Sequence, residues 1–170
     1  MEQVNFSAFS ARDVEDIALQ RTGQLKRLPV VGPVSFRAWE RGNRIPLQIE
    51  SRLRRRPILQ GALDAVSREV DKITAYLGSR DVRRMVDIGC GHGLADLVFW
   101  QKYRCRIHLV DIERTRDKHH AYHATGAGYA SLEAARAFLV ANGVPPGDII
   151  TTNPQRDELV DDDVDLIVSM

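Results

Sequence analysis

The chain has few of the residues that mark disulfide-stabilised, metal-stapled or membrane-spanning proteins. Its 170 residues include only two cysteines, Cys90 and Cys105. Two cysteines separated in this way exclude a disulfide framework and the closely spaced pairs of a zinc knuckle. No apolar run approaches the ~20 residues that a membrane-spanning helix needs. We therefore expect a globular protein whose two thiols are buried and reduced.

The beginning of the sequence lacks both the basic and the apolar segment of a secretory signal peptide. A reducing, cytoplasmic setting is therefore the expected one. Hydrophobic residues make up 44% of the chain and charged residues 28%. These fractions are ordinary for a single globular domain with a core of its own.

Charge is distributed unevenly, although the formal net charge is only +1. Residues 1–85 carry 16 basic and 10 acidic side chains, whereas residues 86–170 carry 8 and 13. This polarity suits an acidic substrate or the docking of the two halves onto each other. The most basic stretch contains Arg52, Arg54, Arg55 and Arg56. Because no aromatic residues are interleaved, it indicates a solvated helix end, with a phosphate or nucleic-acid site as the alternative.

The first part of the chain predicts an amphipathic helix followed by an irregular stretch. Apolar spacing favours a helix over residues 11–22, capped by Ser10 and ended by Gly23. Beyond it, proline and glycine punctuate residues 28–46 without a regular period. We expect this stretch to be an irregular lid or packing segment.

A longer amphipathic helix is predicted from Pro57 to Gly78, with apolar residues three and four positions apart. Because it leads directly into the first predicted strand, it should pack on one face of the sheet. We assign residues 1–80 to an N-terminal helical extension that precedes the sheet-containing domain.

The most informative stretch runs from Met85 to Leu94 and reads M-V-D-I-G-C-G-H-G-L. An apolar run, three alternating glycines and an apolar helical pattern over 94–103 predict a strand, a turn and a helix. Glycine suits a turn with unusual dihedral angles against which a ligand lies, and the helix start can hold an anionic group.

The spacing of these glycines differs from the dinucleotide fingerprint G-x-G-x-x-G, because the third glycine comes one residue early. Asp87 also precedes the first glycine by two positions. A carboxylate there would repel a pyrophosphate and suit a cationic ligand. An NAD-dependent oxidoreductase is therefore disfavoured, and close helix–sheet packing is the purely structural alternative for the glycines.

These features resemble motif I of the class I S-adenosylmethionine-dependent methyltransferases. The resemblance implies a Rossmann-like three-layer αβα sandwich with a mostly parallel sheet over residues 81–170. It also implies S-adenosylmethionine as the cofactor, with Asp87 near its methionine moiety. The other residues of this stretch that would line the cofactor are Gly89, Cys90, Gly91 and Gly93.

A second cofactor landmark follows the strand predicted over 105–110. Asp111 comes 18 residues after Gly93, and an acid at such a place can accept both ribose hydroxyls. Ile112 would lie beside the cofactor as well, and Glu113 is the competing ribose partner. We expect these residues, Asp87 and the glycines to converge on one crevice at the carboxyl ends of the strands.

A third landmark comes after a helix predicted over 132–139 and a strand over 148–152. In this family an Asp or Asn ends the third strand and contacts adenine, and Asn153 occupies that position. Its amide offers the donor and acceptor that the adenine edge requires. Asp165 follows 12 residues later and opens a fourth apolar strand over 164–168, as the family pattern requires.

Three histidines, His119, His120 and His123, lie in the stretch 114–128. The Glu of an H-E-x-x-H zinc motif is missing between them. We predict a polar loop over the cofactor crevice, with a zinc site as the disfavoured alternative.

The resemblance covers four of the seven strands that the family has. We therefore expect a fragment, a split protein, or a chain whose fourth strand is covered by another subunit or a second copy. The catalytic residues are not readable, because in this family they lie mostly after the fourth strand and in the N-terminal extension.

The implied activity is transfer of the sulfonium methyl group to an oxygen, nitrogen or carbon nucleophile. Small-molecule O-methylation is the first expectation, and RNA methylation, favoured only by the arginine cluster, is the second. The end of the fourth strand lacks Asn/Asp-Pro-Pro-Tyr, which disfavours methylation of exocyclic or amide nitrogens. The alternative from another class is a non-catalytic cofactor-binding module that needs a second chain.

Overall fold

The computed structural model of the chain describes residues 3–21, 31–112, 130–158 and 163–170. Within these ranges the protein is an α/β structure with six α-helices and one four-stranded sheet. The predicted Rossmann-like α/β architecture is confirmed. The sequence predicts a mostly parallel sheet, and in the described sheet all strand pairs are parallel.

The helices and strands are numbered here in chain order. The helices are α1 (Ala11–Gln20), α2 (Val31–Glu40), α3 (Ile45–Leu53), α4 (Arg55–Leu77), α5 (Leu94–Tyr103) and α6 (Leu132–Ala141). The strands are β1 (Arg84–Ile88), β2 (Arg106–Val110), β3 (Ile149–Thr152) and β4 (Leu166–Val168). A short 3-10 helix, Pro146–Asp148, leads into β3. Every helix and strand predicted from the sequence occurs, and the ends that the structure describes lie within two residues of the predicted ones.

Helix α1 begins with the predicted cap. The Ser10 hydroxyl accepts a hydrogen bond from the Asp13 N–H at 3.2 Å, and the Asp13 carboxylate accepts one from the Ser10 N–H at 2.7 Å. This reciprocal capping box satisfies two of the N–H groups that a helix start leaves without partners. The predicted end of the helix at Gly23 lies outside the described residues.

The prediction of an irregular segment over 28–46 is wrong where the structure describes it. Helices α2 and α3 form there, and Gly42, with φ of +83°, makes the turn between them. Each helix carries a proline within its first turn, Pro33 and Pro46. The missing N–H is not needed at those positions, so the prolines start these helices rather than interrupt them.

Helix α4 begins at Arg55, two residues before the predicted Pro57, and the proline lies in its first turn. The helix ends at Leu77, and Gly78 follows with φ of +64°. A left-handed glycine after the last helical residue is a common way to stop a helix. The predicted end is therefore confirmed.

The strands lie in the order β3-β2-β1-β4. Met85 of β1 is paired with Ile107 of β2 on one side and with Leu166 of β4 on the other. The chain therefore builds the sheet outward from β1 to β3 and then returns to place β4 on the other side of β1. This reversal creates a topological switch point between β1 and β4, where open α/β sheets bind ligands.

One face of the sheet packs against the helices in a continuous apolar core. Met85, Ile107 and Ile149 point into it from three strands. The same core takes in Ile17 of α1 and Leu59 of α4. The predicted extension over 1–80 therefore packs directly against the sheet domain over 81–170, and the boundary between them remains a prediction.

The opposite face of the sheet carries apolar side chains that are far less covered. Ile88, Ile150 and Ile167 share this face by register, and they are exposed by 50%, 39% and 63%. Among the described residues β4 pairs with β1 alone, so coverage of its other edge by a partner stays a prediction. In this part of the chain we find no helix that is both long and apolar enough to cross a membrane.

Candidate functional site

The glycine turn joins β1 to α5 at the carboxyl end of the sheet. Gly89, Gly91 and Gly93 have φ angles of +80°, +56° and +75°. A residue with a Cβ costs roughly 1–2 kcal/mol in this left-handed region, which explains why all three are glycine. The Gly89 N–H donates to the Val110 carbonyl at 2.7 Å. This bond fastens the turn to the end of β2.

The three glycines have different surroundings. A Cβ on Gly93 would lie 3.5 Å from the Cβ of Ala135 in α6, and one on Gly91 would lie 3.4 Å from the Gln20 side chain. Beside Gly89, no described atom lies within 4 Å of the position of a Cβ. Gly93 therefore also serves helix packing, whereas Gly89 leaves its backbone open to a ligand.

Replacing Gly93 with alanine should lower the free energy of unfolding by about 1–2 kcal/mol, because the new Cβ occupies a left-handed backbone. Gly147 is the matched control, since its φ is not left-handed and its Cβ position meets no described atom within 4 Å. We expect Gly147→Ala to change stability by less than about 0.5 kcal/mol. Equal effects in urea denaturation would contradict the geometry of the turn.

A cavity of ≈ 360 Å³ opens beside the glycine turn. Helix α1 supplies part of its wall with Ile17 and Gln20, Arg21 follows directly after that helix, and α4 contributes Val66. The remaining lining residues are Asp87, Gly89, Cys90, Gly91, His92, Leu94, Ala95 and Met170. The cavity thus lies next to β1 and to the segment after β4, at the switch point of the sheet.

Asp87 is the last residue of β1 whose side chain points to the helix-covered face, and it is exposed by only 2%. Burial raises the pKa of its carboxyl group to about 7, against a hydrogen bond with Asp96 that lowers it, and the nearby Asp111 carboxylate raises it further. A buried carboxyl group at a cavity wall is costly to ionise without a counter-charge. This position therefore favours a cationic ligand group.

Asp96, in the first turn of α5, is a site residue that the sequence analysis missed. Its side chain is completely buried and interacts with the carboxyl group of Asp87, and no other described residue donates a hydrogen bond to either of its oxygens. Burial and the neighbouring charge of Asp87 raise the pKa of Asp96 well above its ordinary range. The available signal was a single acid in the first seven residues of the helix, 94–100, which are otherwise apolar.

Asp111, the predicted ribose partner, lies beside the glycine turn but is not among the residues that line the cavity. One of its carboxylate oxygens accepts a hydrogen bond from the Gly91 N–H at 2.8 Å, and its own N–H donates to the Thr152 carbonyl at 3.2 Å. Asp111 and Ile112 are both half-buried. The Asp111 carboxylate therefore holds the turn in shape, and contact of either residue with a ribose remains a prediction.

Asn153 follows β3, which is separated from β1 by β2. It is buried, its side-chain oxygen accepts a hydrogen bond from the Gln155 N–H at 3.0 Å, and its N–H donates to the Asp157 carboxylate at 2.8 Å. These bonds shape the turn after the strand, and Asn153 does not line the cavity. Its contact with adenine stays a prediction.

Both cysteines are buried free thiols, as predicted. Burial raises the pKa of Cys90, and the carboxylates of Asp96, Asp111 and Asp87 raise it further. Because a thiolate is the reactive form of cysteine, this thiol is unreactive. Cys90 therefore contributes packing volume to the cavity wall rather than a nucleophile.

His92 fastens helix α1 over the glycine turn. Its ring is exposed by only 2%, its Nε2 lies 3.5 Å from the Asp13 carboxylate, and its Nδ1 lies 3.4 Å from the Gln20 side-chain oxygen. Phe9 packs against the same ring edge-on, with 5.6 Å between ring centroids. Burial would raise the pKa of Asp13, but hydrogen bonds with His92 and Ser10 lower it overall. Helix α1 therefore forms a fixed wall of the cavity.

The arginine cluster of α3 and α4 is partly used inside the fold. The Arg55 guanidinium donates to the carbonyls of Phe6 and Phe9 at 2.7 and 2.5 Å, and Arg54 lies 3.4 Å from Glu50. Arg52 and Arg56 are exposed. Two of the four arginines therefore stabilise the N-terminal region, which weakens the case for a nucleic-acid surface.

The structure identifies no group of three or more metal-ligating side chains among the residues that it describes. The histidines of the predicted polar loop, His119, His120 and His123, lie outside those residues.

A scan against protein-family models found no match. Searches of curated proteins and of solved structures found none either. The interpretation of the site therefore rests on its motif and its geometry.

Proposed function

We propose that the chain binds S-adenosylmethionine in the glycine-turn cavity and acts as the cofactor-binding part of a methyltransferase. One observation carries the proposal. The buried Asp87 carboxyl group lies at a cavity beneath a left-handed glycine turn, at the switch point of a parallel sheet. This position combines bare backbone with a negative charge, and S-adenosylmethionine carries two cationic groups.

The described residues fit this cofactor in size and charge. The cavity volume of ≈ 360 Å³ lies within the range of small-molecule sites, which is about 300–1,000 Å³. An acid, Asp87, and a base, Arg21, both line it. The amino-acid end of S-adenosylmethionine carries one ammonium and one carboxylate group, which match Asp87 and Arg21 in charge. Apolar residues such as Leu94 and Ile17 supply the remaining contacts.

A dinucleotide fits the same cavity less well. The pyrophosphate of NAD lies at the glycine turn in Rossmann folds, and here the turn adjoins both Asp87 and Asp111. Carboxylates on these two residues would repel a phosphate anion at the turn. The charge of the site thus supports a cationic cofactor over NAD.

Bound S-adenosylmethionine would supply an electrophilic methyl group. The residues of this chain would bind it, orient it and exclude water from it, which is how positioning accelerates a transfer between two reactants. We propose O-methylation of a small molecule as the favoured reaction. RNA methylation is the second candidate, because Arg54 and Arg55 of the basic cluster are engaged within the fold.

Calorimetric titration tests the cofactor and distinguishes the two ligand classes. We expect the purified, folded chain to bind S-adenosylmethionine and S-adenosylhomocysteine and to show no measurable heat of binding with NADH. If the chain binds NADH and does not bind S-adenosylhomocysteine, the proposal is overturned in favour of an oxidoreductase. Transfer of a labelled methyl group by this chain alone would exclude the non-catalytic alternative.

Arg21→Ala should weaken binding of S-adenosylhomocysteine about tenfold or more, the usual effect of losing a hydrogen bond to a charged group. The Arg21 guanidinium is positioned by Glu69, whose carboxylate oxygens accept hydrogen bonds at 2.7 and 2.9 Å. Methylthioadenosine lacks the amino-acid end, so its affinity should not change. The matched control is Arg80→Ala, an exposed arginine outside the cavity. Equal loss for both ligands would contradict the assignment of Arg21 to the carboxylate.

A further inference from the structure

The Asp87–Asp96 pair has a feature that cofactor binding alone does not require. Both side chains are buried, with a relative exposure of 0% for Asp96 and 2% for Asp87, and their carboxyl groups interact. No described residue donates a hydrogen bond to Oδ1 or Oδ2 of Asp96 or to Oδ1 of Asp87. Two ionised carboxylates in contact in such a place would repel each other strongly.

A single proton held between the two groups resolves this conflict. If Asp96 is protonated, its hydroxyl can donate to the Asp87 carboxylate, which then remains oriented toward the cavity. A protonated acid has one donor, and an ionised carboxylate is a pure acceptor, so the pair is complementary. Interactions of this kind between a neutral acid and a carboxylate are among the stronger hydrogen bonds in proteins.

We propose that Asp96 is a positioning residue that stays protonated and holds the Asp87 carboxylate toward the cavity, so that binding of a cationic ligand there is linked to one proton. The inference rests on the proposed function and deepens it. In the ligand-free protein, protons compete with the cationic ligand for Asp87. Binding of S-adenosylhomocysteine through its ammonium group therefore releases a proton wherever Asp87 was protonated before.

Other titratable groups face this pair from the neighbouring elements. Asp111 approaches from the end of β2 and Cys90 from the glycine turn, and Cys105 interacts with Asp96 from the start of β2. Arg21 lines the cavity from the position directly after α1. Burial raises the pKa of both thiols, that of Cys105 to about 11, so neither titrates near neutral pH. The Asp111 carboxylate repels charge on Asp87 and adds to its tendency to hold a proton.

The linkage has a definite sign. Burial raises the pKa of Asp87 to about 7, so below this pH a cation must displace a proton. The affinity for S-adenosylhomocysteine should therefore fall about tenfold for each pH unit below the midpoint and level off above it. The number of protons released per ligand bound should be close to one near pH 6 and close to zero near pH 8.5.

The test is calorimetry with S-adenosylhomocysteine from pH 5.5 to 8.5, in pairs of buffers with different ionisation enthalpies. The difference between buffers gives the number of protons released. Asp96→Asn keeps a donor toward Asp87, so its midpoint should lie within about half a pH unit of the wild-type value. Asp96→Ala removes the donor, so its midpoint should rise by about one pH unit or more.

Two results would overturn the inference while leaving the proposed function intact: binding that does not depend on pH, or an Asp96→Ala profile equal to the wild-type one. Failure of a folded chain to bind at any pH would instead refute the proposed function itself. Carbon-13 NMR titration of the aspartate carboxyl groups provides a ligand-free readout. In the wild type we expect one aspartate to titrate with a midpoint near neutral pH, and this midpoint should disappear in Asp87→Asn. A wild-type protein without such a midpoint would also refute the proton-sharing pair.

Discussion

Replacing Phe138 with alanine is expected to lower the free energy of unfolding by about 3–5 kcal/mol. Phe138 lies in α6 with no exposed surface. Its ring stacks on Phe9 at a centroid distance of 4.6 Å and on Phe6 at 6.0 Å. The substitution therefore removes the aromatic stack between the segment before α1 and the sheet domain, and it leaves a cavity in the core.

Val140 provides the matched control, because it lies in the same helix and is 39% exposed. Val140→Ala should change stability by less than about 0.5 kcal/mol. Urea denaturation of both variants measures the difference directly. A small effect of Phe138→Ala would mean that the N-terminal segment does not share a core with α6.

Asp87→Asn should change stability and ligand binding in opposite directions. Burial raises the pKa of Asp87 to about 7, whereas the unfolded value is about 3.9. The folded state therefore binds this proton more tightly, and the stability that it contributes is full below about pH 4 and is lost as the pH rises to about 7. At pH 8 the asparagine variant, which has no charge to bury, should be more stable by about 2–4 kcal/mol.

The same variant should bind S-adenosylhomocysteine about 10- to 100-fold more weakly, because the ammonium group loses a charged partner. Asp81→Asn is the control, since Asp81 is exposed and lies outside the cavity; it should change neither quantity. Denaturation at pH 5 and pH 8, with calorimetry on the same samples, measures both effects. A variant that loses stability at pH 8, or that keeps full affinity, would contradict the role of Asp87. A gain in stability with a loss of function is typical of residues that serve a site.

The sequence allowed the sheet and the glycine turn to be predicted because their signals are local. Apolar strands such as 105–110 and the glycine spacing from Gly89 to Gly93 depend on neighbouring residues alone. Asp87 lies at the end of β1 and Asp111 directly after β2, and the ends of neighbouring parallel strands meet at one edge of the sheet. Their proximity could therefore be predicted from the sequence. These positions did not require knowledge of contacts between distant parts of the chain.

The missed features depend on contacts or on context that a local pattern does not contain. Helices α2 and α3 were missed because Pro33 and Pro46 interrupt a helical pattern unless they lie in a first turn. In the sequence, Asp96 is an ordinary acid near a helix start. Its interaction with Asp87 is visible only in the structure. The link from His92 to α1 joins residues about seventy positions apart, a separation at which periodicity carries no information.

The most direct test of the central claim is to locate S-adenosylhomocysteine on the protein by NMR, with the nitrogen-15-labelled chain titrated under conditions where it is folded. We expect the largest amide shifts at Gly89, Gly91 and Asp111, with smaller ones at Arg21, directly after α1. Such a pattern would place the cofactor in the glycine-turn cavity. Shifts confined to the groove beside Arg55 and Arg56, or no shifts at saturating concentrations, would contradict it.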